Sequence, residues 1–155
     1  MKKQRIYVDT SVIGGCLDEE FMEWSNGLMR DFSLGYFKAV VSSVVSAEIL
    51  PAPGPVREKY LELMATEPEI IEISKEVFDL VKAYKHAKIL GETHHNDMMH
   101  IALATVAGVD ILTSWNFKHI VRFDKIRQFN GVHMKKGYKA IEIFSPREVT
   151  THGKN

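Results

Sequence analysis

Short runs of β-branched and other apolar residues, each set apart from the next by helix-length segments, constrain this chain more than any other feature of its sequence. The runs fall at residues 5–9, 38–42, 69–73, 109–113 and 140–144. Their interiors (Ile6-Tyr7-Val8, Ala39-Val40-Val41, Ile70-Ile71, Ile111-Leu112, Ile141) are nearly all apolar. Strands of that kind are buried on both faces, which happens when the chain returns between them through helices. The expected class is therefore α/β, a parallel, Rossmann-like sheet with helices on both faces.

The intervening segments carry helical signals. Phe21, Trp24, Leu28 and Phe32 make an apolar stripe over residues 21–37, expected to face the core first and a partner second. Ser43 is placed to cap a short helix through Glu48 and Leu50, which Pro51 and Pro53 stop. Residues 55–65 read as helix, with Val56, Tyr60, Leu63 and Met64 on one side. Ser74 starts a longer helix that runs to Leu90 and closes at Gly91. Asn96 is read as the N-cap of a helix ending at Ala107, with Gly108 as its stop. A short helix is expected near residues 117–123, an irregular connection over 131–139, and a final turn from Ser145 to Glu148. Residues 1–150 should form one domain, and residues 151–155 a frayed tail.

A chain of 155 residues is long enough for one buried core and too short for two ordinary domains. Its single cysteine, Cys16, has no partner for a disulfide and reads as a small packing residue. The apolar run near the N-terminus is too short for a signal segment, and no stretch approaches the length of a membrane span. The expectation is a cytoplasmic protein with no membrane contact.

The formal net charge of zero argues against indiscriminate polyanion binding. The charges are nevertheless segregated. Residues 116–140 hold Lys118, Arg122, Lys125, Arg127, Lys135, Lys136 and Lys139 against the lone acid Asp124, while Asp18, Glu19, Glu20 and Glu23 gather near the N-terminus. Two solvated faces would explain this, and so would a local basic surface for a nucleic-acid backbone.

Three acids stand where chemistry gathers in such a sheet, near the carboxyl ends of strands. Asp9 follows the first strand in Asp9-Thr10-Ser11, where it serves either as a cap or as a ligand. Glu48 sits among Val44, Val45, Ala47, Ile49 and Leu50, either turned to solvent or held near a cation. Asp97 opens the helix before the fourth strand, where the helix dipole favours a carboxylate. The small residues of Ile101-Ala102-Leu103-Ala104-Thr105 would let that helix pack close and press the Asp97 end against the crevice.

Taken in order, Ile6-Tyr7-Val8-Asp9-Thr10-Ser11, Ser46-Ala47-Glu48-Ile49, Asn96-Asp97-Met98-Met99-His100-Ile101-Ala102-Leu103-Ala104 and Asp110-Ile111-Leu112-Thr113-Ser114-Trp115-Asn116-Phe117 resemble the PIN-domain nucleases. The likeness runs from about Ile6 to Glu148 and is strongest to the VapC-type toxins of toxin–antitoxin pairs. It implies a single PIN-like domain that hydrolyses RNA with a divalent metal. Asp9, Glu48 and Asp97 would be ligands, directly or through water, with Asp9 central, and oxygen donors suit Mg²⁺ or Mn²⁺. Thr10 or Ser11 would bind a phosphate or position Asp9. The family usually carries a further Asp after the fourth strand, where this chain has Asn116, an amide that adds no charge. Lys118, His119 and Arg122, just beyond, would offset phosphate charge or lie on the surface. A homodimer and a small antitoxin protein are implied as partners.

Competing readings are weaker. An aspartyl-phosphate enzyme built on Asp9 would want a second Asp two residues on, where Ser11 stands. A zinc site from His94, His95 and His100 lacks ligand spacing, since only His95 and His100 approach helical register. The strongest alternative is a non-catalytic PIN-like module that binds RNA or a partner protein, and the missing fourth acid motivates it.

Overall fold

The computed structural model describes residues 2–154. β1 (Arg5–Val8) leads through α1 (Thr10–Gly15) and α2 (Met22–Ser33) to β2 (Lys38–Ser42), and α3 (Ser43–Ile49) and α4 (Gly54–Met64) lead on to β3 (Glu69–Ile71). From there α5 (Lys75–His86), a 3-10 turn (Glu92–His94) and α6 (His95–Ala107) reach β4 (Ile111–Thr113). Then come α7 (Phe123–Lys135), β5 (Glu142–Phe144) and α8 (Pro146–Val149).

The strands form one sheet in the order β3-β2-β1-β4-β5. Every neighbouring pair is parallel, and Tyr7 lies opposite both Val40 and Leu112. The chain builds outward from β1 to β3, crosses over, and builds outward again through β4 to β5. Right-handed crossovers then put α1 to α4 on one face and α5 to α7 on the other. The packing agrees: α2 lies on α1, α4 and α8, and α5 on α6 and α7. Ile6, Tyr7, Val8, Val40, Val41 and Leu112 are fully buried between the layers. Each such aliphatic side chain contributes about 1.5–3 kcal/mol. The stripe on α2 serves the core as expected, with Leu28 and Phe32 buried and Phe21 and Trp24 packed at its margin. Cys16 is buried, and that burial pushes its thiol up to about 11, so it packs and does not react.

Several boundaries differ from expectation. The run Asp9-Thr10-Ser11 is no simple turn but the start of helix α1. α5 stops at His86, because Lys88 turns left-handed (φ 56°), and Gly91 opens the 3-10 turn instead of closing the helix. Ser42, not Ser43, holds the N-cap position of α3. Asn96 lies inside α6, whose N-cap is His94, and its amide is used elsewhere. Residues 117–120 form turns in place of the expected short helix, and the supposed irregular stretch begins inside α7. Phe129 and His133, one turn apart, bury the inner face of α7, while Gly131 faces open space. The cost of glycine in a helix, about 1 kcal/mol, is therefore outweighed by burial. The strand ends are shorter than expected at β3, β4 and β5. Gly108 ends α6 with φ 67°, as expected of a left-handed cap.

The expected frayed tail is tied down through residue 152, while Asn155 lies outside the described residues. Asp31 on α2 accepts hydrogen bonds from the Thr150 hydroxyl at 2.7 Å, the Thr151 amide at 3.0 Å and the Thr151 hydroxyl. His152 sits edge-on to Trp24, with ring centroids 5.5 Å apart. Among the described residues no helix is long and apolar enough to cross a membrane.

Candidate functional site

The sheet reverses its direction of growth between β1 and β4, so the crevice at their carboxyl ends is the switch point of the fold. Asp9 stands there as the N-cap of α1, where its backbone is extended. Its Oδ1 accepts from the Ser11 amide at 2.9 Å and the Ser11 hydroxyl at 2.5 Å. The same hydroxyl accepts from the Trp115 amide at 2.9 Å, and so joins the end of β1 to the end of β4. Asp9 is only 3% exposed and has no ion-pair partner among the described residues. Among the described residues no donor reaches its other oxygen, which opens to the crevice. α1 can come this close because Gly15 has no side chain. A Cβ there would lie 2.7 Å from both Ser25 Oγ and Trp115 Nε1.

Glu48, on the last turn of α3, leans over α1 toward α6. Its Oε1 accepts from the Thr10 hydroxyl at 2.7 Å and from His100 Nε2 at 2.7 Å, and its Oε2 from the Asn96 amide at 3.3 Å. Behind His100, Nδ1 meets the Tyr7 hydroxyl at 2.7 Å, and that hydroxyl meets Ser42 Oγ at 2.7 Å. Burial alone would raise the Glu48 pKa. The His100 ring, Thr10 and Asn96 outweigh it and hold the carboxyl below its ordinary range. His100 Nε2 therefore faces a carboxylate and carries the proton. Burial, with Asp9 and Glu48 nearby, pushes the Tyr7 phenol far up despite its bond to Ser42, so it stays protonated.

Asp97 occupies the first turn of α6. Its carboxyl is pushed up, chiefly by burial and further by Asp9, against the opposing pull of His100, His119 and His94. His94 Nδ1 lies 3.7 Å from Asp97 Oδ2, an ion-pair distance too long for a hydrogen bond. The rings of His94 and His119 face each other with centroids 3.8 Å apart and planes tilted by 40°. His119 is held below its ordinary pKa by burial first and by His94 next, with Asp97 opposing.

The sequence-predicted residues divide by what the fold does with them. Asp9, Glu48 and Asp97 gather round one end of the sheet, linked through Thr10 and His100. Among the described residues, the trio whose ligand atoms all come within 4.8 Å of one another is His94, Asp97 and His119, and the three acids do not close to that limit. The histidine set weighed from sequence is replaced: His100 is committed to Tyr7 and Glu48, His95 stands apart, and His119 takes their place. Thr10 and Ser11 turn inward and position acids. Asn116 Oδ1 accepts the amides of Lys118 at 3.2 Å and His119 at 3.0 Å, so it caps its own turn with both acceptor sites used. Lys118 is exposed beside the crevice, whereas Arg122 pairs with Asp124 at 2.8 Å and Lys125 donates to the Ile89 carbonyl at 2.7 Å.

Sequence reasoning missed the line Tyr7–His100–Glu48 and the pairing of His94 with His119. The spacing His94, Asp97, His100, three residues apart each time, was a legible signal of one shared face. Nothing local announces His119, which the turns at residues 117–120 bring in.

The sequence matches no protein-family model and no curated protein. Among solved structures, the chain is similar to one in the crystal structure of VapBC2 from Rickettsia felis bound to a DNA fragment from their promoter. The TM-score is 0.54 at 14% identity, over 92% of this chain and 98% of that one. At that identity the likeness shows the fold alone: a single α/β, PIN-like domain with an all-parallel five-stranded sheet flanked by helices.

Proposed function

We propose that this protein is a metal-dependent endoribonuclease, the toxin partner of a small antitoxin protein, working as a homodimer. The observation that carries the reading is Asp9. A buried carboxylate without a cationic partner is costly. This one sits at the switch point with one oxygen fixed by Ser11 and the other open to the crevice.

The donor set fits a hard divalent ion. Asp9 would hold Mg²⁺ or Mn²⁺, with Glu48 and Asp97 reaching it directly or through water. Water-mediated contact suits their spacing, because three of the sites on Glu48 are already bonded within the protein. Such an ion, when bound, lowers the pKa of a water and offsets charge on a phosphodiester. The protein's own part is to orient. Ser11 sets the Asp9 carboxylate, and Thr10 and His100 set Glu48 and keep it ionised. Lys118, exposed in the turn that also carries His119, would meet a backbone phosphate.

The test is cleavage of a mixed single-stranded RNA panel by the wild type and Asp9→Ala, with Mg²⁺, Mn²⁺ or EDTA. Metal-dependent cleavage that falls to background in the variant and in EDTA is expected. Cleavage that survives Asp9→Ala would overturn the assignment. A second reading, a PIN-like module that binds without cutting, draws on Asn116, which stands in the fourth acid's place with its oxygen spent on a turn. RNA binding by both proteins with no cleavage under any metal would favour it.

A further inference from the structure

We propose that His94, Asp97 and His119 form a second cation site, taking a borderline divalent transition-metal ion such as Zn²⁺ or Co²⁺ and sharing Asp97 with the acid site. The proposal goes beyond the nuclease reading and does not depend on it. Its donors come from two places: the start of α6, where His94 as N-cap and Asp97 in the first turn lie three residues apart, and the turns that follow β4, which bring in His119. The approach of His119 to the other two is a tertiary contact that local helix geometry does not dictate. The three ligand atoms all lie within 4.8 Å of one another.

Donors placed about 2.1 Å from a tetrahedral ion are about 3.4 Å apart, so closing the site asks only small side-chain rotations. The two rings are close enough for one ion to lie between their in-plane nitrogens after such rotations. Their centroids are 3.8 Å apart, and among the described residues no hydrogen bond engages a ring nitrogen of either one. The carboxylate lies 3.7 Å from His94 Nδ1, near enough to pair and too far to bond. Two protonated rings at that separation would repel each other, whereas one cation among the three satisfies both imidazoles and the carboxylate together.

The donor chemistry chooses the ion. Imidazole nitrogens suit Zn²⁺, Co²⁺ and Ni²⁺, while Mg²⁺ prefers oxygen and holds its water. Three protein ligands on a half-exposed surface leave one position open to water or to a phosphate oxygen, the pattern of reactive sites and not of sealed structural ones. The neighbouring Glu48 cannot fill that position without giving up its bonds to Thr10 and His100.

The experiment is a Co²⁺ titration of the metal-free, full-length protein, followed by visible d–d absorption, with Zn²⁺ as competitor and circular dichroism as the folding control. The wild type should take up Co²⁺ with a spectrum of nitrogen ligation that Zn²⁺ displaces. His119→Ala and His94→Ala should each weaken binding by roughly tenfold or more, while Asp9→Asn retains the band. A band unchanged in both histidine variants, a band lost only in Asp9→Asn, or no Co²⁺ uptake by folded wild type would overturn the proposal. Failure of the nuclease reading shows instead in the cleavage assay on Asp9→Ala, so the two outcomes are separable.

Discussion

Replacing Tyr7 by Phe removes one hydroxyl from the interior and leaves the ring, so no cavity of consequence forms. That hydroxyl makes two bonds of 2.7 Å, to Ser42 Oγ and to His100 Nδ1. Both partners are enclosed, with Ser42 0% and His100 3% exposed. Two neutral hydrogen bonds contribute about 1 kcal/mol each, and a partner left buried without a mate costs about 1–3 kcal/mol. His100 has no alternative for Nδ1. Ser42 has one. It holds the N-cap position of α3 with extended backbone (φ −137°, ψ 170°), yet its side chain makes no cap bond, because the oxygen is committed to Tyr7. Once freed, it turns to an amide of the first helical turn and recovers about 1 kcal/mol. The net expectation for Tyr7→Phe is a loss of about 2 kcal/mol. For a chain of this size that lowers Tm by roughly 4–8 °C. Urea unfolding at neutral pH measures it, and a double-mutant cycle with Ser42→Ala should return a coupling of about 1 kcal/mol. A Tyr7→Phe protein within about 0.5 kcal/mol of wild type, or a fully additive cycle, would refute the reasoning.

Two further expectations concern buried polar groups away from the crevice. His133 donates from Nδ1 to Asn130 Oδ1 at 2.9 Å and accepts from the Tyr84 hydroxyl at Nε2, and burial pushes its pKa down to about 4. The unfolded imidazole takes its proton first, so stability is full above about pH 6.5 and falls as pH drops toward 4, by on the order of 3 kcal/mol. Equal unfolding free energies for wild type at pH 7.5 and pH 5, or an equal slope in His133→Gln, would sink that account. Asp31, 2% exposed, holds Thr150 and Thr151. Asp31→Ala should cost about 3 kcal/mol and expose the chain beyond α8 to limited proteolysis. A variant as protease-resistant as wild type would show that the clamp is not what holds the tail.

What was legible in the sequence was local. The apolar strand before Asp9 and the left-handed stop at Gly108 each follow from a few adjacent residues, and both are where the sequence predicts. The class of sheet follows from the runs themselves. α7 was hidden because Gly131 and a polar His133 interrupt its pattern, although the helix turns the glycine outward and buries the histidine against Tyr84. Asn96 reads as a cap by residue type, and only the approach of α3 to α6 shows why its amide goes to Glu48 instead. The same limit governs the site. The acids stand out in the sequence because each sits at or near an element's end, and the structure brings them round one end of the sheet without closing them to 4.8 Å. The partners that orient them, Tyr7, His100 and His119, are brought in from other strands and turns, and no window of sequence contains that information.

The seam between β1 and β4 divides the molecule in a way that chain order makes literal. Everything through β3 builds one side of the sheet, and everything from α5 onward builds the other. Asp9 and Glu48 belong to the first half, and His94, Asp97, His100 and His119 to the second. A chain cut in the loop between β3 and α5 would therefore yield two pieces, each carrying only part of the crevice. The second half keeps His94, Asp97 and His119 together, but neither half holds all three acids, and the strand-to-strand contact of Ile6, Tyr7 and Val8 with Ile111, Leu112 and Thr113 reunites Asp9 and Glu48 with Asp97. Under the proposed nuclease reading, reassembly of two such fragments would be reported by the return of Mg²⁺- or Mn²⁺-dependent cleavage, which needs Asp9 and Asp97 together and so makes the acid set a sensor of whether the sheet has closed.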